Sequence, residues 1–239
     1  MSTFVLIHGA WHGGWCWYKI VPLLTQAGHR VVTPDLPGRG KDKTPLSDIS
    51  LSRHVEHICA VLDAQPEPVT LVGHSFGGVI ITQVAELRPE RVKSLVYLTA
   101  FLLRDGETLR GALRDATESL LVPNRIPSAD GSSTTVREEA LKDVFYADCS
   151  QADIVLAGAL LVPEGSAPMV TPVHTTAANF GRIPRVYIEC LRDRAIPATT
   201  QRQMYTSLPC QRVVSLDTSH SPFFSAPEKL AAELLSLLT

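Results

Sequence analysis

A strand, a sharp bend and a helix are written into the stretch from Val69 to Ala85, and no other segment of the chain limits its fold so tightly. The run Val69-Thr70-Leu71-Val72, rich in β-branched residues, reads as a buried strand. Gly73-His74-Ser75-Phe76-Gly77 follows it directly, and Gly78-Val79-Ile80-Ile81-Thr82-Gln83-Val84-Ala85 has the make-up of a packed helix. A Gly-x-Ser-x-Gly turn in that setting lifts the serine hydroxyl clear of a sheet. Glycines flank the bend because a side chain there would strike neighbouring backbone. Ser75 then stands at a helix N-terminus, where free N–H groups and the helix dipole favour developing negative charge. The five-residue pattern alone is a weak sign; the strand before it and the helix after it make it a strong one.

The same alternation runs along most of the chain. Residues 4–8 form a short apolar run ended by Gly9, and residues 23–28 end a helix with Gly28 as its stop. Residues 30–34 read as a second strand, followed by a loop over 35–40. Leu51, Val55, Ile58, Val61 and Leu62 recur at helical spacing within 51–64. Further strands are expected at 94–98, 185–189 and 212–216, with a last helix over 226–238. Strands alternating with helices and lacking tight hairpins imply an α/β fold, a mostly parallel sheet of about six strands covered on both faces. One region breaks the rhythm. Residues 103–181 show helical pieces at 107–121, 136–146 and 150–161, several prolines and no strong strand. The expected division is a core of 1–102 and 182–239 with a helical lid of 103–181 inserted after the fourth strand. Ligands of open α/β sheets bind beyond the carboxyl ends of the strands, which is where that lid would sit.

Composition bounds the function. A chain of 239 residues with 45% hydrophobic residues suits one α/β domain with a large core. A net charge of −2 argues against nucleic acid or an anionic membrane as partner. No segment approaches the ~18 apolar residues of a membrane span. The N-terminus runs straight into strand residues without a basic region or cleavage site, so no secretory signal is expected. Cys16, Cys59, Cys149, Cys190 and Cys210 are scattered and odd in number, the pattern of reduced thiols in a cytoplasmic protein. The nearest two, Cys190 and Cys210, are 20 positions apart, which disfavours a Cys–His zinc site. Neither a metal nor a cofactor is expected.

A serine alkoxide is not available at neutral pH, so Ser75 needs a base. His29, His54, His57 and His174 fall in helical, loop or lid segments and are expected at the surface. His74 neighbours the serine but points away as a packing residue. His8 and His12 belong to the turn after the first strand, which leaves His220, in the loop after the last strand. The base needs an acid to fix its tautomer and stabilise the imidazolium. Asp193 follows the strand over 185–189 and is favoured over Asp105 and over Asp217, which lies too close along the chain to His220. The order Ser75, Asp193, His220 is that of a strand-turn serine served by later loops. The oxyanion needs donors as well. Phe76, directly after the serine, supplies one backbone N–H, and Ala10 in the loop after the first strand supplies the other, with Gly9 letting the chain come close. Trp15 and Trp17 are assigned to the core. Gly9, Trp11, Leu121, Phe145, Leu160, Leu161 and Phe223 are candidates to border the substrate.

These residues resemble the α/β-hydrolase superfamily, and more closely its branch of plant methylesterases and hydroxynitrile lyases with their bacterial esterase relatives. The stretch from Phe4 to Trp17, the stretch Leu71-Val72-Gly73-His74-Ser75-Phe76-Gly77-Gly78 and the stretch from Phe180 to Cys190 carry the resemblance, which spans nearly the whole chain. Within the lid only Cys149-Ser150-Gln151-Ala152-Asp153 echoes the branch. The resemblance implies a serine hydrolase with Ser75, Asp193 and His220 as its triad. It also separates two chemistries. Hydroxynitrile lyases of this branch carry a threonine after the first-strand histidine and, after the catalytic histidine, a lysine that supports departing cyanide. Here those positions hold Gly9 and Ser221, which favours a carboxylesterase of small to medium esters, methyl or aryl, over a lyase. Hydrolysis of a lactone or carbon–carbon bond, and a receptor that binds a small molecule without turnover, are the competing expectations. The expected partner is a small-molecule ester, and a homodimer is left open.

Overall fold

The computed structural model describes residues 1–238. Its strands and helices, in chain order, are β1 (Thr3–Ile7), α1 (Ile20–Gln26), β2 (Arg30–Val32), α2 (Leu51–Asp63), β3 (Val69–His74), α3 (Gly77–Leu87) and β4 (Val92–Leu98). The chain then leaves the main sheet through α4 (Leu109–Asp115), α5 (Leu121–Asn124), β5 (Arg125–Pro127), β6 (Ser133–Val136), α6 (Leu141–Phe145), α7 (Gln151–Leu160), β7 (Glu164–Gly165) and α8 (Ala167–Val170). It returns through β8 (Arg185–Cys190), α9 (Ala198–Ser207), β9 (Arg212–Leu216), α10 (Pro222–Ser225) and α11 (Pro227–Ser236). The main sheet has six strands in the order β2-β1-β3-β4-β8-β9, every neighbouring pair parallel. This is the α/β-hydrolase fold.

Burial explains which segments became strands. Every residue of β1 and β3 is buried, as expected of strands covered on both faces by helices. The edge strands β2 and β9 are more exposed, and β9 buries only Leu216. Helix α2 starts at Ser50, whose hydroxyl accepts the Arg53 N–H at 3.1 Å, and it lays Leu51, His54, Val55, Ile58, Cys59 and Leu62 on its buried face. Helix α3 buries Val79, Ile80, Ile81, Thr82, Val84 and Ala85 almost all round, because it lies directly over the sheet.

The order of strands sets the position of the site. From β1 the chain steps outward to β2, then β3 pairs on the other side of β1, and the rest of the sheet grows from there. The carboxyl ends of β1 and β3 therefore mark the switch point where open α/β sheets bind ligands. The loop after β1 and the turn after β3 both start there.

The inserted segment differs from the all-helical expectation. It contains an antiparallel three-stranded sheet, β5-β6-β7, built on a hairpin between β5 and β6. Asp130 Oδ1 accepts the Ser132 N–H at 3.0 Å, and Gly131 takes φ +71 at the tip. That pairing takes Val136 opposite Arg125, so the helix expected over 136–146 begins only at Leu141. The helix expected over 107–121 stops at Asp115, where Ala116 leaves helical geometry.

Candidate active site

The turn after β3 is held in a conformation that only close backbone packing sustains. A Cβ on Gly73 would stand 2.6 Å from the Gly77 carbonyl oxygen, and one on Gly77 would stand 2.8 Å from the Ile7 oxygen of β1. Glycine at both positions lets strand, bend and helix close on each other. Ser75, between them, sits at φ +54, a left-handed conformation that costs a non-glycine residue roughly 1–2 kcal/mol. It is fixed there by its N–H on the Leu98 carbonyl at 3.3 Å and by its own carbonyl, which accepts from Gly78 at 3.0 Å and Phe101 at 3.1 Å.

Asp193 and His220 meet above the ends of β8 and β9. Asp193 Oδ2 lies 2.6 Å from His220 Nδ1, with both side chains buried. The other oxygen, Oδ1, accepts the backbone N–H groups of Ala195 at 2.7 Å and Ile196 at 2.9 Å. Thr99, just past β4 and itself at φ +36, donates its hydroxyl to Oδ2. With Oδ1 turned to the backbone donors, Oδ2 is left facing the imidazole. Behind His220, the His74 ring lies 4.6 Å away centroid to centroid, and its Nε2–H donates to the His220 carbonyl at 2.9 Å. Burial first, then the neighbouring His220, pushes His74 well below the ordinary imidazole range, so it packs as a neutral ring. Ser75 follows His74 in the turn. Its hydroxyl makes no hydrogen bond to His220 Nε2 among the described residues. The competing acids lie elsewhere: Asp105 is exposed, and Asp217 is exposed and paired with Arg192 at 2.9 Å.

The loop after β1 approaches the serine from the other side. A Cβ on Gly9 would stand 2.9 Å from Ser75 Cβ. His8 donates from Nδ1 to the Gly9 carbonyl at 2.8 Å and accepts the Leu36 N–H on Nε2 at 3.1 Å. Burial pushes its pKa down to about 3, so the neutral tautomer with the proton on Nδ1 fits both bonds. The Gly9 carbonyl and the Ala10 N–H belong to one peptide group, so this bond holds that peptide at its oxygen. The N–H groups of Ala10 and Phe76 have no acceptor among the described residues, although both residues are buried. Unmet buried donors are uncommon.

The remaining candidates fall in different places. Phe145 of α6 lies over His220 with centroids 5.5 Å apart and touches Trp11 at 5.9 Å. Leu121 is buried within the insertion. Trp11 and Leu161 share a cavity of about 230 Å³ with Val136, Leu141 and Pro163. Leu160 stands 38% exposed at the end of α7. Phe223 is wholly buried between Trp17 at 5.2 Å and His74 at 4.9 Å. Trp17 is core, and Trp15 packs half-buried against Phe224. His54 is a correction to the expected surface position: it is wholly buried against Phe76, and neither ring nitrogen has a partner. Burial lowers its pKa to about 3. Sequence reasoning missed Thr99, and also Arg39, Tyr146 and Glu164, which brace the loop after β1. Among the described residues no cluster of His, Cys, Asp or Glu could hold a metal ion, and no helix is long and apolar enough to cross a membrane.

A strained serine on a strand-to-helix turn, approached by the loop after β1, with an Asp–His pair carried by the loops after β8 and β9, is the shared architecture of one large class. The chain belongs to the alpha/beta hydrolase family, whose model matches residues 4–233. Within it, the chain falls in the methylesterase and hydroxynitrile lyase-like branch. It is 34% identical to methylesterase 1 of Arabidopsis thaliana over 98% of this chain and 95% of that protein. Some chloroplastic relatives of the same plant are longer, and this chain spans 64% of one at 34% identity. The solved pyrethroid hydrolase from Sphingobium faniae JZ-2 superposes with a TM-score of 0.87 at 32% identity, covering 99% of this chain and 96% of the other.

Proposed function

We propose that this protein is a cofactor-free serine carboxylesterase that hydrolyses small to medium esters, methyl or aryl esters among them. The observation that carries the reading is the 2.6 Å contact between Asp193 and His220, whose ring packs 4.6 Å from that of His74, the residue before a serine held in left-handed backbone. In the proposed cycle Ser75 Oγ attacks the ester carbonyl while His220 Nε2 takes its proton. Asp193 keeps the His220 proton on Nδ1 and stabilises the imidazolium. The unpartnered N–H groups of Ala10 and Phe76 receive the oxyanion, each worth on the order of 10²–10³ in rate. His220 returns the proton to the leaving alcohol, and an acyl group is left on Ser75. Water, activated by His220, then releases the acid.

The segment over 103–181 acts as the lid of this site. Phe145, lying over His220, is its clearest contribution to the site, and it packs on Trp11, which with Leu161 borders a cavity within the insertion. The names of the relatives fit the reading, since a methylesterase and a pyrethroid hydrolase both act on esters. Ser221 in place of a lysine supplies no cation next to His220 for a departing cyanide, so the lyase reading loses that electrostatic support.

The test is a panel of p-nitrophenyl and methyl esters of graded acyl size, run beside Ser75→Ala. Turnover falls by up to about 10⁶-fold in that variant, with the melting temperature nearly unchanged. A retained rate in Ser75→Ala, or a panel with no substrate, overturns the assignment.

A further inference from the structure

Trp11 follows Ala10 directly, and the inserted segment grips it at every polar atom. Its backbone N–H donates to Glu164 Oε2 at 3.1 Å, its carbonyl accepts the Val162 N–H at 3.0 Å, and its indole N–H donates to the Thr134 carbonyl at 2.8 Å. The residue is held at φ +63, a conformation a tryptophan does not adopt unaided. Glu164 lies on β7, at one edge of the small sheet, and reaches Trp11 from 153 positions away in sequence.

The Glu164 carboxylate is itself anchored. Arg39, from the loop after β2, donates Nε to Oε2 at 3.0 Å and Nη2 to Oε1, and its Nη1 donates to the Gly38 carbonyl at 2.7 Å. Both side chains of this pair are 1% exposed. A fork of this geometry fixes the carboxylate in one plane, and Trp11 N–H reads that plane.

The other half of the same peptide group is braced too. The Ala10 carbonyl accepts from His12 Nδ1 at 2.7 Å, and His12 Nε2 accepts from Tyr146, also in the insertion, at 2.7 Å. Burial pushes His12 down to about 4, so the ring is neutral and the relay runs from the Tyr146 hydroxyl through the imidazole to the carbonyl. The Ala10–Trp11 peptide plane is thus clamped at its oxygen by Tyr146–His12 and at its nitrogen by Arg39–Glu164. Rotation of that plane would swing the Ala10 backbone and turn its N–H away from Ser75.

We propose that Glu164, locked by Arg39, is a positioning residue for the oxyanion hole: the insertion holds Trp11 so that the Ala10 N–H points at the reacting carbonyl. The inference rests on the esterase reading above. It makes the insertion a structural part of the catalytic loop as well as a cover for substrate.

Two variants test it. Arg39→Met/Glu164→Leu replaces the buried pair with apolar side chains, a change that often leaves stability unharmed, and removes the acceptor for Trp11 N–H. Glu164→Gln keeps an oxygen for that N–H and loses only the charge. The readouts are kcat and KM for a p-nitrophenyl ester, the melting temperature, and the affinity of a trifluoromethyl ketone. Ser75 Oγ adds reversibly to that ketone, its proton passing to His220, and leaves a tetrahedral oxyanion that needs the same donors as the transition state. The double variant loses about 10- to 100-fold in kcat, a fraction of the value of one oxyanion donor. Its ketone affinity falls in step and its KM changes less than about threefold. Glu164→Gln loses less, about 3- to 10-fold. A folded variant of either kind with kcat and ketone affinity within twofold of wild type overturns the proposal, as does a loss confined to the melting temperature. A wild-type protein that turns over no ester of the panel fails the esterase reading first and takes this proposal with it. Wild-type activity beside an unaffected variant removes this proposal alone.

Discussion

Asp193→Asn replaces one oxygen by an NH₂ group, and the surrounding backbone decides which way the new amide faces. Ala195 and Ile196 aim N–H groups at Oδ1 from 2.7 and 2.9 Å, so the amide oxygen belongs there. The NH₂ group then occupies the Oδ2 position, 2.6 Å from His220 Nδ1. Thr99 adapts by rotating its hydroxyl from donor to acceptor. His220 has no such freedom: facing a donor, Nδ1 must present a lone pair, which puts the ring proton on Nε2. In the proposed mechanism, a base protonated on Nε2 cannot take the Ser75 proton. In serine triads this wrong tautomer costs about 10⁴ in kcat, or about 5.4 kcal/mol of barrier. The escape is to flip the amide, which sets NH₂ against the Ala195 and Ile196 donors. Leaving those buried donors unmet costs about 1–3 kcal/mol each, so roughly 2–6 kcal/mol in all. The expected drop in kcat is therefore about 10²–10⁴, shared between the two orientations. The fold persists, because Asn keeps the shape of Asp and the melting point shifts by only a few degrees for each kcal/mol in a chain of this size. The assay is steady-state hydrolysis of p-nitrophenyl acetate, with circular dichroism melts and ¹⁵N spectra of the imidazole to locate its proton. A folded variant with kcat within about tenfold of wild type refutes the reasoning.

The buried histidines predict how acid acts on stability. His8 and His54 are lowered to about 3 and His12 to about 4, from an ordinary 6.5, all chiefly by burial. Between pH 6.5 and about 4 the unfolded chain binds protons that the folded one refuses, so stability falls as pH falls, by about 1.4 kcal/mol per pH unit for each ring. Melts from pH 7.5 to 4 are expected to show a steep loss below pH 6, on the order of 4 kcal/mol per unit from these rings together, and a flat profile there contradicts it. His54→Leu removes ring nitrogens that are buried without partners and keeps similar volume. It is expected to raise stability by about 1 kcal/mol, read as a melting point about 2–4 °C higher, and a lowered melting point means the ring has a partner that matters.

What was legible in the sequence was what local burial writes there. The fully covered strands β1 and β3 are nearly continuous apolar runs, and the bend after β3 declares itself through Gly73 and Gly77, which backbone contacts require to be glycine. Asp193 and His220 come within reach of sequence reasoning because each follows one of two neighbouring strands, β8 and β9. The hairpin of β5 and β6 escapes because its strands are short and polar, and its one sign is Asp130-Gly131 at the tip. His54 was readable after all: it stands three residues after Leu51 and four before Ile58, on the buried face of α2. Thr99 and Glu164 were not, since their partners lie 94, 125 and 153 positions away and only the folded chain brings them together.

The chain departs the main sheet at Leu98 and rejoins it at Arg185, on the adjoining strand. Both ends of the excursion are therefore tethered to neighbouring strands, Leu98 opposite Ile188 and Arg185 opposite Leu95, and its length carries only a weak entropic penalty. Modules of other sizes could be spliced between those tethers without disturbing a strand pairing of the main sheet, and under the proposed function such a graft would retailor substrate range. Arg39 sets the compatibility rule for such a graft: a replacement module must bring its own carboxylate to that guanidinium, or leave a lone cation sealed beneath it.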